Sequence, residues 1–158
     1  MIKEIIKKKW LYILGYLYLL TSIILFLLGN VKLWISIPLS VVLIIATIKA
    51  LKNSPDVNME LIKEHKKTII GIGIILLLWV IISGIGGFIW QNTWDHKFRN
   101  AVFKDLVRYD WPVINGDLAL CYYMGFWLPA ALVGKVLGLG AGYLAQVIWA
   151  FVGVSIGF

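Results

Sequence analysis

Charge is scarce in this sequence, and acidic charge most of all. Lys and Arg number 15, Asp and Glu only 8, and together they make up 15% of the 158 residues. A soluble domain of this length carries about a quarter charged residues, so most of this surface does not face water. There is a single cysteine, Cys121, which excludes an internal disulfide and any multi-cysteine metal site. Set between Leu120 and Tyr122, it reads as a packed thiol rather than a nucleophile. The two histidines, His65 and His96, fall in separate polar segments, so no histidine-ligated transition-metal site is expected. No basic stripe interleaves with aromatic residues on a water-facing surface. The net charge of +7 is therefore read as topology-setting and lipid-meeting charge at span ends, with no nucleic-acid partner.

What the sequence has in excess is apolar residues, 61% of the total. Nearly all charge is confined to residues 3–9, 49–67 and 95–117, and the stretches between are long enough to cross a bilayer, which takes about 20 apolar residues of helix. The expected fold is all-α: a polytopic transmembrane bundle of about five spans with one external, interfacial amphipathic helix. The spans are read at Trp10–Gly29, Leu33–Leu51, Ile69–Trp90, Leu118–Val136 and from the Gly138, Gly140, Gly142 break to Phe158, with a kink at Pro129 in the fourth. Residues 1–68 form an opening hairpin with its cytoplasmic loop, and residues 69–158 the remaining helices with an external loop at 91–117. The apolar end at Phe158, with no polar tail, is read as the front part of a larger protein or of a bundle completed by a partner. With the N-terminus in the cytoplasm, ten basic residues, Lys3, Lys7 and Lys135 among them, lie inside and five outside.

The loop from Gln91 to Asp117 is the one place where functional groups concentrate. From Asp95 to Asp110 the pattern is helical: Phe98, Val102, Leu106 and Tyr109 share one face, with Asn100, Lys104 and Arg108 opposite. A carboxylate at the membrane–water boundary acts as a general base or helps to hold a divalent cation. Asp95 is the first candidate for both roles and Asp105 the second for catalysis. Arg99 and Arg108 suit the phosphate of a lipid-linked substrate, because arginine meets phosphate oxygens with parallel hydrogen bonds, and His96 suits proton transfer. The plain reading of Asp95 and Arg99 is a surface ion pair one helical turn apart, and that of Asp95 alone a helix cap.

The run Arg99-Asn100-Ala101-Val102-Phe103-Lys104-Asp105-Leu106, then Trp111-Pro112-Val113, then Tyr122 through Lys135, together with Lys32 through Pro38, resembles the front end of a family of uncharacterised polytopic bacterial membrane proteins. These in turn are similar to glycosyltransferases of the GT-C fold. The resemblance implies a sugar donor carried on polyprenyl phosphate and an acidic residue of an early external loop, matched to Asp95 and then Asp105, as catalytic base or metal-coordinating group. It also implies further membrane helices beyond these. The competing expectation is a non-catalytic small membrane subunit, whose glycine-lined helices pack against a partner membrane protein.

Overall fold

The computed structural model describes residues 2–91 and 94–158, with side chains from residue 8 onward. Asn92 and Thr93 of the polar loop, and the side chains of Lys3 and Lys7 used in the charge count, lie outside the described residues.

Two long helices, α1 (Ile2–Asn30) and α2 (Leu33–Asn53), form an antiparallel hairpin. Their ends are tied by charge: Lys9, at a kink in α1, donates through Nζ to the carbonyls of Leu51 (3.2 Å) and Lys52 (2.8 Å). Those carbonyls belong to the last turn of α2, where a cation is favoured, and that of Leu51 also accepts from the Ser54 amide at 3.3 Å. Ser36 and Ser40 are buried on α2, whose packing partner among the described residues is α1. Small side chains at such a seam let helices approach closely in lipid.

After a short helix α3 (Met59–Glu64), capped by the Asn58 side chain on the amides of Glu60 and Leu61, the chain turns back as α4 (Lys66–Ile82). The predicted third span ran on to Trp90, but α4 stops eight residues earlier. Gly84, Gly86 and Gly87 adopt φ of 81°, 79° and 72°, a left-handed backbone that ends a helix. By sequence alone they fall inside a span, where small residues read as helix-packing positions.

The largest difference concerns the predicted fourth span. Leu118–Ala119 pairs with Ile114–Asn115 as a small antiparallel hairpin, β1 and β2, with Ile114 opposite Ala119. A single 3₁₀ turn at Met124–Phe126 follows, and only Leu128–Leu137 is helical (α6). Ten residues rise about 15 Å, half of the hydrocarbon thickness. Pro129 lies in the first turn of α6, where its missing N–H costs nothing, so it starts a helix rather than kinking one. Lys135, counted with the N-terminal side from sequence, donates through Nζ to the Tyr109 carbonyl and lies 5.4 Å over the Trp111 ring. It therefore sits with the helix α5 (Asp95–Arg108), at the bundle end opposite Lys9.

The last helix, α7 (Leu139–Gly157), descends antiparallel to α1 and α4. Tyr18 of α1 stacks on Trp149 with ring centroids 4.1 Å apart, and Val80 of α4 packs with Val147 and Ala150. At the crossing of α6 and α7, a Cβ on Gly142 would lie 3.0 Å from the Gly134 Cα and 3.1 Å from the Phe103 ring. A larger residue there would have to push the two helices or the Phe103 ring apart. The main core lies between α5, α6 and the segment that leads into α6, where Phe103, Leu106, Leu128 and Ala131 are fully buried around Trp127 and Met124.

Among the described residues three helical stretches are long and apolar enough to cross a bilayer: Lys8–Asn30, Leu33–Asn53 and Leu139–Gly157. Their outer surfaces, and that of α4, are bare of polar cover, with Val42 61% and Ile75 65% exposed. Continuous apolar surface of this kind marks a membrane protein.

Candidate functional site

Past the end of α4 the regular ladder stops, and polar side chains gather on the carbonyls of the turn, including that of Gly84, which also accepts from the Gly87 amide at 3.1 Å. Gln91 Nε2 donates to the Gly84 carbonyl at 2.7 Å, and Asn100 Nδ2 donates to Gln91 Oε1 at 2.8 Å. His96 Nε2 lies 3.0 Å from the Ser83 carbonyl. Since that oxygen only accepts, the proton of this contact is on Nε2. Gly84 is required here, because a Cβ would stand 2.8 Å from His96 Nε2 and 2.9 Å from the Trp90 carbonyl. The glycine that stops the helix also admits the histidine.

Helix α5 presents His96, Arg99, Asn100, Phe103 and Leu106 toward the bundle, a spacing that keeps them on one face. Phe98 is 66% exposed and Tyr109 58%, whereas Phe103 and Leu106 are at 0%. The buried face is thus turned by roughly a quarter of the circumference from the one predicted. That turn carries Arg99 and Asn100 inward, to a half-buried position.

Together with Tyr123, the buried ring of Trp127, and Gln146 from α7, these residues bound a cleft of about 80 Å³. The size decides what enters: it admits a few waters or one small headgroup, far below the 300–1,000 Å³ of a drug-sized pocket. The chemistry of its wall is that of a donor. Arg99 Nη2 holds Asp95 Oδ2 at 2.7 Å, but its buried Nε meets no acceptor among the described residues. Gln146 is only 6% exposed, and its amide makes no hydrogen bond among the described residues. The Tyr122 hydroxyl donates to that of Tyr123 at 3.0 Å, a bond that raises the Tyr122 pKa above its ordinary value. With its oxygen so occupied, Tyr123 keeps its own proton to donate. One guanidinium, one amide and one phenol facing a small cleft complement an anion with several oxygens.

The sequence candidates divide accordingly. His96 and Arg99 lie on the cleft, with Asp95 beside it through Arg99. The Asp95–Arg99 ion pair read from the spacing is present, with side chains 56% and 42% exposed, so it contributes little to stability. Asp95 does not cap the helix, since Trp94 occupies that position. Asp105 is elsewhere, lining a separate polar hollow of about 250 Å³ with Tyr109 and Asn115. Ten residues of helix put it about 15 Å along the axis from Asp95, so the two carboxylates do not share a site. Arg108 is exposed in the last turn of α5, where a cation suits the helix dipole. Asp95 faces a guanidinium rather than a second carboxylate. Among the described residues no three His, Cys, Asp or Glu side chains converge.

Sequence reasoning gives no site role to Gln91, Tyr123 or Gln146. Gln146 was visible: it is the one amide in the apolar run Leu139–Gly157, and a strongly polar group inside a span marks a site by default. No protein-family model matches the chain, and no curated protein or solved structure matches it either.

Proposed function

We propose that this chain is a four-crossing membrane protein, spanning through α1, α2, α4 and α7, that receives a phosphate headgroup at its outer interface as the lipid-carrier end of a glycosyltransferase-like enzyme. The carrying observation is the Arg99 guanidinium, half-buried with an unspent Nε in a cleft it shares with Gln146. The 17 residues of α4 lie at the short end of the range for a span. With Lys135 beside α5, nine basic residues lie on the Lys9 side against six on the other, which still favours a cytoplasmic N-terminus.

In this reading Arg99 binds the phosphate of a polyprenyl-phosphate-linked donor. Asp95, paired with Arg99, takes the proton of an acceptor hydroxyl as that oxygen bonds to the sugar C1 and the C1–O bond to the phosphate breaks, releasing the polyprenyl phosphate. The cleft has room for the phosphate and not for a sugar, so further helices, of this polypeptide or of a partner, complete the donor pocket. Asp95→Asn is expected to abolish transfer from such a donor while leaving the protein folded in lipid. Normal transfer by that variant would overturn the assignment of the base.

A non-catalytic subunit is the second reading, favoured by the same small cleft and by the spending of Asp95 on Arg99. It predicts a stable partner membrane protein on crosslinking in native membranes, with an Asp95→Asn phenotype no stronger than that of Arg99→Gln.

A further inference from the structure

The polar cleft does not stand alone. Ile85, in the 3₁₀ turn after α4, lines it and also lines two apolar hollows in the seam between α4 and α7. The larger, about 200 Å³, has walls made entirely of apolar side chains: Ile81, Ile85, Phe88, Leu144 and Val147. Phe88 and Leu144 are 60% and 54% exposed, so this hollow opens sideways, toward the hydrocarbon that surrounds the helices. The seam is left open because α4 and α7 close mainly through Val80, Val147 and Ala150. Above it, Gly86 presses on α7 so tightly that a Cβ would strike the Val147 side chain and the Tyr143 carbonyl.

We propose that the seam is a lateral entrance for a single-chain phosphate amphiphile. Its headgroup lies on Arg99, Gln146 and Tyr123, and its hydrocarbon chain in the hollow between α4 and α7. The inference rests on the headgroup reading above and adds the route of entry and the seat of the chain. Charge complementarity selects the occupant. Donors from α5, α7 and the segment before α6 approach the cleft from three directions, which matches a headgroup with three free oxygens better than a planar carboxylate with two. The chain gains little hydrophobic free energy by moving from bilayer to hollow, since both are apolar, so the headgroup sets affinity and the hollow sets position.

The test uses the full chain in phosphatidylcholine nanodiscs and dodecyl phosphate bearing a diazirine at the chain end. Photolysis is expected to label residues 81–88 and 144–147. Unlabelled dodecyl phosphate should compete, and dodecanol and dodecanoate should compete at least tenfold less well. Leu144→Trp, which fills the hollow from an exposed position, should cut seam labelling at least tenfold, and Val42→Trp, on the exposed face of α2, should retain it. Arg99→Gln should remove the labelling. If dodecyl phosphate binds and depends on Arg99 but labels only other surfaces, or if Leu144→Trp labels normally, the lateral seat is wrong and the headgroup reading survives. Equal competition by dodecanoate overturns the phosphate class. Absence of any Arg99-dependent binding removes both the seat and the headgroup reading.

Discussion

Asp95 and Arg99 form one ion pair, yet their removal should move headgroup binding in opposite directions. Arg99→Gln takes away the one Lys or Arg side chain on the cleft wall among the described residues. A hydrogen bond to a charged group is worth about 1.5–3 kcal/mol, so affinity for dodecyl phosphate should fall about 10- to 150-fold. Asp95→Asn instead releases the guanidinium from a competitor. The pair is about half exposed on both sides, and such pairs are worth about 0.2–1 kcal/mol. Affinity should therefore rise about one and a half- to fivefold. Both variants should unfold within about 1 kcal/mol of the parent, since neither breaks a buried pair. Titration of dodecyl phosphate into phosphatidylcholine nanodiscs, read by native mass spectrometry, separates the two signs. If Asp95→Asn weakens binding as much as Arg99→Gln does, Arg99 is not an anion receptor that Asp95 restrains, and the donor-surface argument fails.

Three further outcomes follow from packing and hydrogen-bond geometry. Leu106→Ala removes a fully buried side chain at the heart of the α5 layer and should cost about 2–5 kcal/mol, measured by unfolding in mixed micelles; a loss below 1 kcal/mol would mean that α5 is not docked there. Gly84→Ala forces a Cβ against His96 and the Trp90 carbonyl at a left-handed backbone position, so it should abolish dodecyl phosphate binding even where the protein still inserts and purifies as a single species. Gln146→Leu removes a buried amide with no hydrogen bond among the described residues. It should raise stability by about 1 kcal/mol while weakening dodecyl phosphate binding several-fold, and a loss of stability would show that the amide is already satisfied.

The opening hairpin and the last span were legible because long uncharged runs have few other ways to satisfy their backbone in lipid. Helix α5 was legible too, from its periodicity, but its orientation was not. Phe98 and Tyr109 were assigned to the buried face on the assumption that it meets hydrocarbon. It meets α6 and Trp127 instead, a protein surface that accepts His96, Arg99 and Asn100 alongside Phe103. The stretch Leu118–Val136 was misread for a related reason. Hydropathy records burial and not what does the burying, and Trp127, Leu128 and Ala131 are buried by α5. Asp95, His96 and Arg99 come together because they are helical neighbours. Gln146 reaches them only through the crossing of α7 with the turn at Gly84–Gly86, which no local pattern encodes.

The most direct test of the account is the side on which residue 135 emerges. In a Cys121→Ser background, single cysteines at Lys52, Lys97 and Lys135 can be probed in sealed vesicles with a membrane-impermeant maleimide. If the α5 layer and α6 form one polar cap over four crossings, Lys97→Cys and Lys135→Cys label from the same side and Lys52→Cys from the other. Labelling of Lys135→Cys together with Lys52→Cys would mean that residues 118–136 cross the bilayer after all, and the cleft described here would not exist.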